Sequence, residues 1–407
     1  MELSWFLQKY SATKIQRSVS DDSFIDRLNH TYTSFVILFF AIILTTKQYV
    51  GDPIDCWGPA ELKGSYEKYM ESYCWLKNTY TMREDNQLSL DLRKMNEIKY
   101  YQWTPLILVM QAAVFYFPKI LWRTLGPRIS GINLYDIATV AHKSVQYNEA
   151  EYNQNDMRYM VKSFERMILT DSMRAKRVNL RQRFCKPAYI STSGSRLCYL
   201  YIFIKLVWIC ISIGQILAMN ALLSNYKDMY GIKLLRSFLS EQTELQSSYF
   251  PKVTFCDFEI REIGYTHHYT VQCVLRANLL NEIAYTVIWF WITIVLVASI
   301  IDLISWLHFL TPWGTYSYLR KQIDLLLIYD VGDIDSLRSV QLLKFLKNNL
   351  TNDCIVCLNI LEKSAGTFLI LEIMLNLWKT INPLPVTSRR TLSQMPTKYP
   401  HKGVLHT

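Results

Sequence analysis

Charged residues are scarce in this chain, and their scarcity bounds the class of protein. Only 19% of the 407 residues are Asp, Glu, Lys or Arg, whereas 50% are hydrophobic. Ordinary soluble proteins carry roughly 25% charged residues. Glycine is also infrequent, with 13 residues and no fixed period, which excludes a collagen-like or repeat architecture. No low-complexity tract is present, so most of the chain is expected to fold.

Sequence motifs of catalysis are also missing. The chain has no phosphate-binding loop, no His-Glu-x-x-His and no Gly-x-Ser-x-Gly. Cys354 and Cys357 lack a second ligand pair at zinc-finger spacing, so we interpret them as ordinary thiols on a helix. We place His267 and His268 in a polar loop rather than in a metal site. The sequence predicts neither an enzyme nor a cofactor.

Four stretches lack charged residues over the 17–25 residues that span a bilayer as a helix. They cover residues 29–46, 100–118, 206–226 and 283–301. One such run could be a core helix of a soluble protein, but four at this length predict four transmembrane helices. Two further segments are apolar. We interpret residues 303–319 as the membrane-surface exit of the fourth span and residues 365–378 as a core helix.

The distribution of basic residues orients these spans. Residues 119–200 carry 14 Lys and Arg against six Asp and Glu, and residues 302–407 carry 11 against eight. The other two loops are slightly acidic, with seven against nine over 51–99 and six against seven over 227–282. Because basic loops stay cytoplasmic, we expect residues 119–200, which form the second loop, and both termini to lie inside the cell. The net charge of +10 then reflects orientation and does not indicate a nucleic-acid partner.

Four of the nine cysteines fall in the two outward loops, two in each. They are Cys56, Cys74, Cys256 and Cys273. An oxidising compartment favours disulfides, so these four are expected to pair. Sequence alone leaves three connectivities open.

Ionisable residues are rare within the spans. We expect Lys205 to reach the cytoplasmic membrane surface, and Glu282 and Asp302 to lie at span ends. A proton-coupled transporter usually places an acid or histidine deep in a span. The pattern instead favours helices that pack around a pore.

Several sequence blocks lie at the borders of the spans. Tyr100-Tyr101-Gln102-Trp103, followed by Pro105, opens the second span. The other blocks are Cys56–Pro59, Tyr73–Trp75, Phe250–Arg261, Thr270–Leu275, Asn278–Glu282 and Trp289–Trp291. Together they resemble the corresponding blocks of innexins, the invertebrate gap-junction proteins, over roughly residues 1–310. Two departures from the usual innexin pattern, at 265–268 and 276–277, provide the candidate docking residues Tyr265, His267, His268 and Arg276.

The resemblance implies subunits in a ring of eight that docks with a second ring on an adjacent cell. Ions and small solutes would pass between the cells. It also implies the disulfides Cys56–Cys273 and Cys74–Cys256, and an amino-terminal helix at the pore mouth. The candidate pore-lining residues are Glu2, Gln8, Lys9, Asp52, Asp55 and Glu61. The expected partners are the same or other innexin subunits, the opposing hemichannel and membrane lipids.

The predicted fold is an all-α membrane protein, a four-transmembrane-helix bundle with disulfide-stapled extracellular loops and a helical cytoplasmic domain. The predicted segments are 1–28 (amino-terminal pore helix), 29–50, 100–122, 199–226 and 282–304 (spans), 51–99 and 227–281 (extracellular loops), 123–198 and 305–382 (cytoplasmic helical regions) and 383–407 (flexible tail). The predicted location is the plasma membrane, at gap junctions. An unpaired hemichannel that releases small molecules and a non-conducting four-span adhesion protein remain as alternatives.

Overall fold

The computed structural model describes residues 21–59, 64–81, 97–146, 154–182, 194–223, 250–328 and 336–381. The chain divides into two compact units. The bundle unit comprises Asp22–Gly126 and Cys198–Phe309, and the helical unit comprises Met1–Asp21, Pro127–Leu197 and Leu310–Thr407.

Four helices of the described residues are long and apolar enough to cross a membrane, as the sequence predicts. They are α1 (Phe24–Tyr49), α3 (Thr104–Ser130), α6 (Arg196–Leu223) and α7 (Arg276–Phe309). Their bounds differ from the predicted borders by several residues. Helical hydrogen bonding begins before the predicted span in α1, α6 and α7 and continues beyond it in α3 and α7, whereas α3 begins only at Thr104. In the bundle unit their contact faces form one buried core that includes Ile37, Leu108, Phe115, Met219 and Ile288.

The ends of these helices follow ordinary capping chemistry. The Ser23 side chain accepts a hydrogen bond from the Asp26 N–H, and the Asp26 carboxylate accepts one from the Ser23 N–H, which is a capping box. Helix α7 ends at Phe309, and the next helix, α8 (Pro312–Ile328), begins with proline, a residue suited to a first helical turn. The segment 303–319 is therefore divided between two helices.

Among the described residues, the two loops predicted to face outward form a five-stranded antiparallel sheet that was not predicted from the sequence. Its strands are β1 (Asp55–Trp57), β2 (Thr79–Tyr80), β3 (Glu97–Ile98), β4 (Val253–Glu262) and β5 (Tyr265–Val274), in the order β1-β5-β4-β2-β3. A helix from the first loop, α2 (Ser65–Lys77), packs against β1 and β4. The turn between β4 and β5 uses Gly264 at a φ of +96°, where a side chain would be strained.

The helical unit contains α4 (Leu134–Gln146), α5 (Gln154–Gln182), α8, α9 (Ser336–Asn349), α10 (Asn352–Ala365) and α11 (Thr367–Ile381). Helices α10 and α11 supply much of its core, including Cys354, Cys357, Ile370 and Met374. Both thiols are free and buried, as expected for ordinary cysteines on a helix. Helix α11 contains most of the predicted core helix at 365–378.

Candidate functional site: the outward sheet and the ends of the spans

Two disulfides join the first outward loop to the second. Cys56 of β1 is bonded to Cys273 of β5, its register partner in the sheet, with a Cα–Cα distance of 4.0 Å. Cys74 of α2 is bonded to Cys256 of β4. These are the pairs that the family resemblance implies, out of the three connectivities that sequence left open. All four residues are buried in one core with Met70, so the two loops form one covalently closed unit.

The Tyr-Tyr-Gln-Trp block fastens this unit to the start of α3. The ring of the fully buried Tyr101 packs against Trp75, with centroids 4.7 Å apart, and its hydroxyl donates to the Trp75 carbonyl. The Gln102 side-chain amide donates to the same carbonyl. Burial raises the pKa of Tyr101 to about 12, so the hydroxyl keeps its donor proton. Trp75 lies in the last turn of α2, whose carbonyls lack helical partners.

Pro105 lies in the first turn of α3, where its missing N–H disturbs no helical hydrogen bond. A helical N–H at this position would bond to the carbonyl of Tyr101. That carbonyl instead accepts a hydrogen bond of 2.7 Å from the buried side chain of Gln48, near the end of α1. Gln48 was not predicted from the sequence, and its position as a polar residue in the last turn of the first span is the one signal that could have pointed to it.

A second polar contact fastens β4 and β5 to the spans. The fully buried Asn278, in the first turn of α7, donates to the carbonyl of Pro251 at 3.0 Å and approaches the Tyr100 hydroxyl. Its carboxamide oxygen accepts from Asn281. The sheet is therefore fixed to α1, α3 and α7 by side chains at the ends of those helices.

The candidate docking residues occupy two different places. Tyr265, His267 and His268 are exposed on β5, close to its turn with β4, and so lie on a strand rather than in an irregular loop. Arg276 begins α7 and is paired with Asp55, a candidate pore-lining residue. The structure thus brings together a docking candidate and a pore candidate that the sequence left separate.

The remaining predicted site residues are more scattered. Asp52 is exposed in the outward loop, and Trp103 is exposed beside the start of α3. The other pore-lining candidates, Glu2, Gln8, Lys9 and Glu61, lie outside the described residues.

At the opposite ends of the spans lies a buried charge cluster that was not predicted from the sequence. It consists of Asp22, Asp26, His30, Lys119, Lys205 and Asp302. The Lys205 ammonium group lies 2.7 Å from the Asp26 carboxylate and also contacts Asp302. Its side chain is only 3% exposed, so the expectation that Lys205 extends to the membrane surface is wrong. The adjacent carboxylates provide the ammonium group with partners inside the bundle.

The other half of the buried charge cluster centres on Asp22. Its carboxylate is paired with Lys119 of α3 and lies 2.7 Å from Nε2 of His30. Burial acts to raise the pKa of Asp22, but hydrogen bonds and charges from His30 and Lys119 outweigh burial and hold that pKa below its ordinary value. The carboxylate is therefore ionised. A sequence signal existed, because Asp22 and Asp26 precede the first span at helical spacing and Lys119 and Lys205 border spans on the same predicted side.

The buried charge cluster and its neighbours tie the start of α1 to all three other spans. Asp22 reaches α3, and Asp26 reaches α6 through Lys205 and the Tyr201 hydroxyl, which donates at 2.5 Å. Asn29 donates to the Ser299 hydroxyl of α7 at 2.8 Å. Polar contacts therefore hold the bundle together at both ends of its helices.

The sequence matches a known protein family over most of its length. A family model described as Innexin matches residues 22–381 of the chain. The chain is an innexin. This innexin is 32% identical to innexin unc-9 of Caenorhabditis elegans over 376 residues, which cover 90% of this chain and 94% of that protein. It is 29% identical to innexin-3 of the same nematode over 379 residues, 92% of this chain and 87% of that protein.

Family membership confirms several predictions. Innexins are gap-junction channel proteins and not enzymes, so this innexin is a multi-pass membrane protein that oligomerises to form channels. The four apolar helices and the two disulfides agree with that class of protein.

Proposed function

We propose that this innexin assembles into a ring of eight subunits and that two such rings, in the membranes of adjacent cells, dock through the outward sheet. Ions and small solutes pass through the resulting channel. The observation that carries this proposal is the disulfide-linked sheet, built from both outward loops and fastened to the ends of three spans. A rigid sheet at one end of a bundle presents a fixed surface to a partner.

Exposed apolar faces on the spans support assembly in the membrane. Ile294, Val297, Ile301 and Ile304 are exposed on α7. Such side chains need lipid or a neighbouring subunit as their surroundings, because contiguous exposed apolar surface marks interaction sites. In a ring, part of this surface contacts adjacent subunits and the rest contacts membrane lipids.

The proposed orientation places both termini in the cytoplasm. It is supported by the basic excess of residues 119–200 and 302–407 and by the disulfides in the other two loops. An epitope tag at either terminus should bind antibody only after the cells are permeabilised. Staining of intact cells would refute this orientation.

The proposed pore-lining set rests on different kinds of support. Asp52 is exposed in the outward loop, where repetition around a ring would favour cations. Asp55 is paired with Arg276, so we expect it to contribute less to selectivity. Glu61 is proposed on the same ground as Asp52, as an acid of the outward loop that repeats around the ring. The candidates Glu2, Gln8 and Lys9 are proposed from the amino-terminal pore helix that the family resemblance implies.

Recording from paired cells that express this chain alone tests the channel function. Junctional current between two expressing cells is expected. Current only across single-cell membranes would instead support the unpaired hemichannel, and no current despite confirmed surface expression would support the adhesion alternative. The comparisons do not favour the hemichannel over the gap junction.

A further inference from the structure

The outer half of the β4–β5 hairpin extends beyond the other described strands. Among the described residues, β1 pairs with β5 only at Gln272–Val274, and β2 pairs with β4 only at Phe255. From the pair Phe258–Tyr269 to the turn, each of the two strands has only the other as its described strand partner. The first four residues of β5 are all exposed, on both faces of the strand. A two-stranded ribbon of this kind is marginally stable without a further partner.

The two strands of the hairpin differ in the protection of their outer edges. Natural edge strands often carry lysine, other charged residues or proline, which prevent unwanted strand pairing. Strand β4 contains four charged residues: Asp257, Glu259, Arg261 and Glu262. Strand β5, with the sequence Tyr-Thr-His-His-Tyr-Thr-Val-Gln-Cys-Val, contains no Asp, Glu, Lys, Arg or proline. It is rich in the aromatic and β-branched residues that favour strands, so the edge of β5 is the one suited to pairing.

The backbone groups on that edge can be assigned from the register. The Leu275 N–H donates to the Lys252 carbonyl at 2.8 Å, immediately before the first pair of the hairpin. In an antiparallel ladder, pairs that exchange hydrogen bonds alternate with pairs whose N–H and C=O groups point away from each other. Counting from Leu275, the backbone groups of Thr266, His268 and Thr270 point away from β4. These three residues supply the donors and acceptors of the outer β5 edge.

We propose that the outer edge of β5, from Thr266 to Thr270, pairs in an antiparallel manner with the same edge of a second copy in the apposed ring. This inference rests on the proposed docking of two rings. Apposed identical rings are related by two-fold axes, and a two-fold contact uses the same surface on both partners. Two hairpins that approach from opposite membranes run antiparallel, so one strand edge is complementary to itself. Neither outward loop contains an Asn-x-Ser/Thr acceptor, so no N-linked glycan covers this edge.

A pair of proline variants tests the edge. His268 and Glu259 face each other across the hairpin, with His268 Nδ1 3.3 Å from a carboxylate oxygen of Glu259, and both direct their backbone N–H away from the other strand. His268→Pro removes a donor from the β5 edge, and Glu259→Pro removes the corresponding donor from the β4 edge. Both variants lose the same side-chain contact and keep the β4–β5 ladder, since proline is tolerated where the N–H points outward.

The expected readouts separate this inference from the channel proposal. His268→Pro should reduce junctional conductance between paired cells about tenfold or more, because each lost edge contact is repeated around the ring. Its single-membrane current and surface expression should match those of the Glu259→Pro variant, which should still couple cells. Equal coupling by the two variants would overturn the edge proposal while leaving the channel intact. Absence of junctional current with the unmodified chain would overturn the docking proposal itself.

Cysteine cross-linking provides an independent measurement if both proline variants lose coupling. Single substitutions to cysteine at residues 266–270 place one thiol on or beside the two-fold axis. In contacting cells, at least one position should yield a disulfide-linked dimer that is missing from isolated cells. Dimers that also form in isolated cells would mean that the edge contacts a neighbouring subunit of the same ring. No dimer at any position in coupled cells would mean that the edge is not paired with a second copy. Either result would overturn the proposal.

Discussion

Replacing Lys205 by methionine should strongly destabilise the bundle unit. The ammonium group is buried between the carboxylates of Asp26 and Asp302, so the variant leaves two acids without their shared cation. Removal of one partner from a buried ion pair typically costs about 3–5 kcal/mol. Whole domains are stable by only about 5–15 kcal/mol. The loss is therefore a large fraction of the stability available, and a lower yield of folded protein is expected.

A matched exposed lysine serves as the control. Lys99 is 68% exposed and lies 3.1 Å from Glu97, and exposed pairs of this kind contribute about 0–1 kcal/mol. Purified protein would be heated in detergent, and the fraction that still elutes as intact oligomer would be measured against temperature. We expect Lys205→Met to lose the oligomer at a clearly lower temperature than Lys99→Met, which should match the unmodified chain.

Neutralising the two acids should restore part of the heat resistance that Lys205→Met loses. In Lys205→Met combined with Asp26→Asn and Asp302→Asn, none of the three side chains is charged, and the carboxamide oxygen of asparagine can still accept a hydrogen bond from the Ser23 N–H. Equal heat resistance of Lys205→Met and Lys99→Met would refute the reasoning that the cluster stabilises the bundle. Failure of the triple variant to improve on Lys205→Met would show that the loss does not arise from unpaired carboxylates.

Three further predictions concern the cysteines and one glycine. Cys56→Ala should abolish junctional current, because loss of a native disulfide costs about 2–5 kcal/mol, whereas Cys357→Ala should retain the current. Equal losses in paired-cell recordings would contradict the assignment of Cys56 to a disulfide and of Cys357 to a free thiol. Burial raises the pKa of Cys354 to about 12, so only about one thiol in 10,000 is ionised at pH 8. Maleimide labelling, followed by mass spectrometry, should therefore modify Cys354 only after denaturation. Gly194→Ala should destabilise the helical unit by about 1–3 kcal/mol, because Gly194 has a φ of +93° and a Cβ would lie 2.7 Å from the Thr351 side chain. Unchanged heat resistance of this variant would contradict that clash.

The structure of the two disulfide-linked loops could be predicted only in part. The number of cysteines per loop showed that two disulfides were available, and the resemblance implied which cysteines pair. The sheet was missed because β1, β2 and β3 have only two or three residues each, too few for an alternating pattern. Strands β4 and β5 have ten residues each, but they lie in a segment interpreted as a single loop. Their place in the sheet also depends on contacts between residues far apart in the chain.

The buried charge cluster shows a different limit. A lysine at the border of an apolar run has two low-energy arrangements: the side chain can extend to water, or it can be buried beside acids from other helices. Sequence contains both the lysine and the acids, but their distance depends on how α1, α6 and α7 pack. Lys205 and Asp26 are 179 residues apart in the chain and in direct contact in the folded bundle.

The sequence by itself determined the membrane class, the four spans, the division of the cysteines among the loops and the family. These properties follow from local composition, since the length of an apolar run and the position of charges act on each span separately. Only the tertiary structure decided that both loops build one sheet, that Gln48 and Asn278 fasten it to the spans, and that Lys205 is buried with two acids. Each of these contacts joins residues that are distant in sequence, and its free energy depends on geometry that forms only when the helices and strands have packed.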